Sequence, residues 1–441
     1  MEYQEKLNAF CGVLRSGEKS KDDFKIGVEV EHIIVDKKTL NSVNFYQENG
    51  IESILKKMIV KGYQPKYEGT YVIGLECDSG VITLEPGGQL EFSIISCSSI
   101  NEIENIYMEF LENIVPILEE HGQLLMAIGY HPKTSIDDIP FNPKKRYEYM
   151  SNHFKGRGKY AHNMMKGTAS LQVVIDYSNE EDFIRKYKVA NFLSPLLALI
   201  TDNAPVFEGR IYEKNSVRST IWDNTDSERG GLLHGAMVED FGYEKYAQYI
   251  LNIPPIFIVK DGNIIKTDSL KTEEVMDLYT FNTNEIDHIM SMVFPDVRAR
   301  KYIELRMADS LPYPLSFAYI ALIKGLFYHE DALMYLYKLT EATDDKKLAA
   351  YRSNLINDGF MGIFRGKKIY EILSLILDLA KKGLKEEEAS YLIPLEQLLM
   401  QQKNPAMVSK ALIKEAGLKT LEWCSLNKWV GRKESGNREI I

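Results

Sequence analysis

Cysteine is scarce in this chain. Cys11, Cys77, Cys97 and Cys424 are the only four in 441 residues, and they are widely scattered. No CxxC pair exists, which argues against a zinc site, and the scarcity fits a reducing, cytoplasmic setting. Long hydrophobic runs are also missing. Phe192–Ile200 and Ile372–Leu379 are too short to span a bilayer, and the opening MEYQEKLNAF is too polar for a signal peptide. Excess positive charge is absent too. The net charge of −10 and a pI near 5.5 argue against a nucleic-acid or membrane-surface role, while leaving room for an anionic nucleotide where metals or arginines invert the local field. There is no GxxxxGK[ST] loop. Gly87-Gly88 and Gly230-Gly231 do not fit a dinucleotide fingerprint, and none of the eight histidines sits in a nucleophile motif.

Repeats, low-complexity tracts and long Pro/Gly/Ser linkers are likewise missing, which predicts one domain over 1–441. An α+β core runs from about 20 to 330, and a helical C-terminal region from about 315 to 441 packs on it. In that region, Lys367–Lys382 and Lys385–Gln402 carry apolar residues at helical spacing. Nearer the N-terminus, Ile51, Ile54, Leu55, Met58 and Ile59 form one apolar stripe. Ile103 through Leu118 form another, with Asn101 and Glu104 as its capping box.

The strands carry more information. In Phe24–Val35, Phe24, Ile26, Val28 and Val30 alternate with Gly27, Glu29 and Glu31. Tyr71–Cys77 and Val81–Glu85 flank Asp-Ser-Gly as a hairpin. Leu90, Phe92 and Ile94 oppose Gln89, Glu91 and Ser93, and Glu85 joins the polar face if the Pro-Gly-Gly bend keeps parity. Leu171, Val173 and Ile175 oppose Ser170 and Gln172, and Ile303, Leu305 and Met307 oppose Glu304 and Arg306. At least four strands therefore have one apolar and one polar face, the pattern of an antiparallel sheet packed on a single side. Any one polar face can simply be wet. Here, however, the face is rich in carboxylates, and Glu29 and Glu31 repel unless cations lie between them. Glu29, Glu31, Glu85, Glu91 and Glu304 form an oxygen-only donor set that selects Mg²⁺ or Mn²⁺. Such a set suits phosphoryl transfer from ATP, with Arg306 within reach of a phosphate.

Taken in order, GVEVE (Gly27–Glu31), LEPGGQLEFS (Leu84–Ser93), RYEYM (Arg146–Met150), MMKGTASLQVVIDYS (Met164–Ser178), VRSTIWDNTDSERGG (Val217–Gly231), FGYEKYAQYILNIP (Phe241–Pro254) and FPDVRARKYIELRMAD (Phe294–Asp309) resemble the glutamate–cysteine ligase family, in its plant and proteobacterial branch. The likeness runs from about residue 20 to 330; the helical tail matches only in general character. It implies a glutamine synthetase-like fold, a curved antiparallel sheet forming a funnel with helices outside. It also implies metal-binding roles for the five glutamates, substrate glutamate held by Arg218 and Trp222, and a phosphate-facing Arg306. Arg146 and Met165 fall on the glutamate side by the same likeness. Gln172 stands where a more distant branch has a histidine ligand, and is assigned to the site without a metal. Plant members switch through cysteine pairs that these four cysteines do not reproduce, so no such switch is expected.

The resemblance implies Mg²⁺- and ATP-dependent formation of γ-glutamylcysteine, as a monomer or weak homodimer whose partners are glutamate, cysteine and ATP. Arg306, Arg218 and Glu304 would carry the chemistry. Three alternatives stay open: a γ-glutamyl ligase using another amine, a phosphotransferase resembling phosphagen kinases, and a non-catalytic binding homologue. The intact acid set argues against the last.

Overall fold

A computed structural model describes residues 1–430; residues 431–441, the end of the expected helical region, lie outside it. The main sheet has nine strands: β1 (Ile26–Asp36), β2 (Gln64–Glu68), β3 (Tyr71–Cys77), β4 (Gly80–Leu84), β5 (Leu90–Cys97), β6 (Gln123–Met126), β7 (Leu171–Ile175), β8 (Val297–Ala299) and β9 (Ile303–Leu305). Its order is β8-β9-β7-β1-β5-β4-β3-β2, with β6 pairing the far end of β1, and every one of these pairings is antiparallel. The two end strands do not pair, so the sheet is open.

Alternation dictates which side is greasy. Ile26, Val28, Val30, Leu90, Phe92, Ile94, Leu171, Val173, Ile175, Ile303 and Leu305 are all buried in one core. Helices α2 (Ile100–Glu119), α4 (Glu180–Ile200) and α6 (Leu315–Phe327) pack against that side, and α1 (Ile51–Ile59) packs against β3. No helix among the described residues is long and apolar enough to cross a membrane.

Three local expectations are corrected. The capping box of α2 is Ser99 and Glu102, not Asn101 and Glu104. Ser99 Oγ accepts from the Glu102 N–H at 3.2 Å, and Glu102 Oε2 from the Ser99 N–H at 3.2 Å. Glu104 instead accepts a hydrogen bond from Tyr313 at 2.9 Å, which ties α2 to the C-terminal region. Lys367–Lys382 is not wholly helical. Arg365 and Gly366 adopt φ of 51° and 75°, making a two-residue turn between short strands Ile363–Phe364 and Lys367–Lys368, and the helix starts at Ile369. Lys385–Gln402 breaks into Glu386–Ala389, a 3₁₀ turn and Ile393–Met400. Pro394, lacking an N–H, fits only the first turn of the last piece.

Candidate active site

Strand register brings the acids together. Across β1 and β5, Glu31 is opposite Glu91, and across β1 and β7, Glu29 is opposite Gln172. On the outer pair, Arg298 is opposite Glu304. Glu85 follows β4 in a tight bend in which Gly88 takes φ of 90° and donates to the Glu85 carbonyl at 2.8 Å. The bend keeps parity: Glu85 lines the same cavity of about 320 Å³ as Glu29, Glu31, Glu91 and Gln172. Helix α3 (Lys145–Phe154) brings Arg146, Tyr147 and Met150 to the rim.

Like charges crowd this cavity. Burial, then Glu91 and Glu304, push Glu29 well above the usual carboxylate range. Burial and Glu85 raise Glu31 to about 7, although it accepts from the Ser170 N–H at 2.7 Å and Oγ at 2.8 Å. Glu91 is raised by burial and Glu85, against a 2.8 Å hydrogen bond from Thr83. Buried carboxylates that repel one another in this way gain from a cation placed among them. Among the described residues, no three of His, Cys, Asp and Glu converge on one point closely enough to grip an ion alone. The donors nevertheless fit Mg²⁺, which is ordinarily held by one or two carboxylates with water and substrate phosphates completing its shell.

Glu304 behaves differently from Glu29, Glu31 and Glu91. Burial opposes its ionisation, but Arg298 and Arg306 outweigh that and hold it at about 2. Arg298 grips both oxygens, Nε to Oε2 at 2.8 Å and Nη2 to Oε1 at 2.9 Å, and Arg306 Nη1 also donates to Oε1. At this position, expected to be a metal ligand, both carboxylate oxygens are engaged by guanidinium groups. Gln172 joins the two halves: its amide donates to Glu31 at 3.2 Å and its oxygen accepts from Arg306.

Arg218, Trp222 and Met165 are not among the residues that line the cavity, but Glu31, which does line it, is a charged neighbour of Arg218. Helix α5 (Val217–Asp223) carries the first two. Arg218 is 5% exposed, and its only hydrogen bond to a described residue runs from Nε to the Arg306 carbonyl at 3.0 Å, so its terminal nitrogens are uncommitted. Trp222 stacks on Phe294, which does line the cavity, at 5.8 Å between ring centroids. Met165 is buried with Ile256, Phe257 and Met292.

Sequence reasoning missed Arg298, Arg300 and His288, which also line the cavity. The arginines had a legible signal: VRARKYIELR places Arg298 and Arg300 on the same parity as Glu304 and Arg306 once a hairpin is assumed. His288 had none, because it arrives from a separate helix. Its Nε2 is buried without a hydrogen-bond partner. Ile256, Phe257, Met150, Met292 and Phe294 make the other end of the cavity apolar.

A profile of glutamate-cysteine ligase family 2 matches residues 25–408. The chain belongs to that family. As a family member it is a ligase, of the kind that serves glutathione synthesis. The ligase is 30% identical over 406 residues to glutamate–cysteine ligase B of rice, covering 89% of this chain and 81% of that one. Its identity to the Arabidopsis thaliana enzyme is also 30%, covering 89% and 77%. Among solved structures, it shares its fold with the glutamate–cysteine ligase of Francisella tularensis, determined in complex with AMP, at a TM-score of 0.60 and 11% identity, over 93% of this chain and 89% of that one. A bifunctional glutathione synthetase of Pasteurella multocida aligns at a TM-score of 0.55 and 12% identity, over 94% and 53%. Both plant relatives are chloroplastic, which overturns the cytoplasmic expectation. The physical reason is simple: scarce, scattered cysteine fits any reducing compartment and does not discriminate between them.

Proposed function

We propose that the ligase joins the γ-carboxyl of glutamate to the amine of cysteine through γ-glutamyl phosphate, with 1–441 acting as one catalytic unit. The observation that carries this reading is a single cavity in which four carboxylates face four arginines, Arg146, Arg298, Arg300 and Arg306. Acids without nearby arginines would suit a cation alone. Acids and arginines together suit a metal–polyphosphate, in which both signs of charge need partners.

Glu29, Glu31, Glu85 and Glu91 would hold Mg²⁺, which supplies charge neutralisation between the ATP phosphates and the glutamate γ-carboxylate. Arg306, fixed by Glu304 and Gln172, faces the cavity with its guanidinium plane already set. Such a preset donor stabilises charge that builds on the transferring phosphoryl group and then on the tetrahedral carbon, without reorganising at that moment. Arg218 is assigned to the substrate α-carboxylate, because its uncommitted terminal nitrogens can pair with two oxygens at once. The apolar end around Ile256 and Phe257 suits the purine of ATP. The cysteine amine then attacks the acyl phosphate, phosphate leaves, and the amine proton passes to solvent or phosphate. No covalent bond to the protein is required.

Release of ADP from ATP, Mg²⁺ and glutamate, measured with each of a panel of amines, tests the reading. Cysteine should give the highest kcat/KM, with one phosphate and one γ-glutamyl amide formed per ADP. A sulfoximine analogue of glutamate should inactivate slowly and only with ATP, because its phosphorylated form mimics the tetrahedral adduct. A different preferred amine would overturn the acceptor assignment. A stable phosphorylated product, with indifference to the sulfoximine, would overturn the ligase mechanism.

A further inference from the structure

In the C-terminal helical region, one arginine links two elements that carry site residues. Arg352, on helix α7 (Asp345–Asp358), is 4% exposed and lies between two acids on different elements. Its Nε donates to Asp223 Oδ2 at 3.0 Å and its Nη2 pairs with Asp223 Oδ1 at 2.9 Å, a two-point grip on the last residue of α5. Its Nη1 donates to Asp296 Oδ2, which also accepts from Ser194 Oγ at 2.9 Å. Asp296 precedes β8, the strand of Arg298, and its carbonyl accepts from the Arg306 N–H at 2.8 Å.

The other end of α5 is tied to the same helix. The Asn215 N–H donates to the Ile356 carbonyl of α7 at 3.0 Å, and Ser216 then enters α5 with φ of 53°. Helix α7 therefore holds both ends of the short helix that carries Arg218 and Trp222. Between the two helices lies a cavity of about 380 Å³ lined by Thr220, Asp223, Leu348 and Arg352, so close apolar packing does not supply the connection there. Helix α7 is itself anchored: Leu355 is buried, Tyr351 packs on Phe364 at 4.5 Å between ring centroids, and Asp345 accepts from the Gly235 N–H at 2.7 Å.

We infer that Arg352 is a positioning residue for glutamate binding, holding the substrate helix α5 in register with the arginine-bearing strand hairpin. The inference rests on the reading that Arg218 grips the substrate carboxylate. A guanidinium suits the task because one rigid plane can address two carboxylates at fixed angles, which a lysine ammonium cannot. If α5 is released, Arg218 moves relative to Arg306, and a displacement of about 1 Å can cost on the order of 100-fold in rate.

The test compares R352Q, R352K and D223N with the parent in steady-state kinetics, alongside thermal unfolding. In R352Q the KM for glutamate should rise about tenfold or more while the KM for ATP stays within about twofold, and R352K should recover part of the loss. D223N keeps the buried Arg352–Asp296 pair and should show the same selective rise; it serves as the readout if R352Q does not fold. Effects of R352Q and R218K on glutamate binding should fall short of additivity, because both act through one helix. A folded R352Q or D223N with unchanged glutamate KM, or strictly additive effects, overturns the inference. Loss of the Arg218 assignment appears separately, as a R218K variant that binds glutamate normally.

Discussion

Glu29 and Glu304 share a sheet face but stand in opposite electrostatic conditions, and substitution separates them. Glu29 makes no ion pair with a described residue and is pushed toward protonation by burial and by its acidic neighbours. Glu29→Gln should therefore leave the melting temperature unchanged or higher while lowering kcat about 100-fold or more. Glu304 is the buried partner of Arg298 and Arg306, so Glu304→Gln should lower activity and also cost about 3 kcal/mol or more in urea unfolding. Equal stability of the two variants would sink this assignment. Glu29, Glu31 and Glu91 were legible as one group because a strand has an exact two-residue period, and Glu85 joined them on the condition that the Pro-Gly-Gly bend keeps parity. The capture of Glu304 by arginines was not legible, because the sequence does not state how far Arg298 reaches across the hairpin. The hydrogen bond from Arg218 to the Arg306 carbonyl was not legible either, because it is a main-chain contact that no side-chain pattern encodes.

At the level of elements, the helical region docks on the core through close backbone approach. Gly325 of α6 faces helix α8 (Ile369–Lys382), where an added Cβ would meet the Ala380 carbonyl oxygen at 2.3 Å, and the Gly383 position would meet the Gly325 carbonyl oxygen at 2.1 Å. Both obstacles are main chain, so they cannot rotate away. Gly325→Ala should cost about 1–3 kcal/mol by overpacking, read as a lower denaturant midpoint. A midpoint equal to the parent's would show that α6 and α8 can separate freely. Helix existence here was readable from apolar spacing. The boundaries were not, because Pro394 and the Arg365-Gly366 turn act through single backbone groups rather than through periodicity. The docking of α7 onto α5 was invisible for a further reason: Arg352 and Asp223 are more than a hundred positions apart, and Arg352 stands in no motif that would point to Asp223.

For the molecule as a whole, acid sensitivity should follow from two buried neutral imidazoles. Burial lowers His131 to about 3 and His32 to about 4, below the ordinary value near 6.5. Between those limits the unfolded chain takes up protons that the folded chain refuses, so stability is present above pH 6.5 and is lost as pH falls below it. Each histidine contributes up to about 1.4 kcal/mol per pH unit. His131→Asn keeps an acceptor for the Lys133 and Thr134 N–H groups and should flatten the decline between pH 6.5 and 5 by about that slope, measured by urea unfolding. An unchanged slope would mean that His131 is not held neutral. At this scale the sequence by itself determined the α+β class, the one-sided strands, the acid face and the family, since each rests on local period or contiguous motif. Only the tertiary structure decided that the sheet stays open, that Glu304 serves the arginines, that His288 enters the cavity and that the C-terminal region bears on the substrate helix. Those outcomes depend on side-chain reach between segments distant in sequence, where burial and Coulomb attraction choose the partner and no repeat announces the choice.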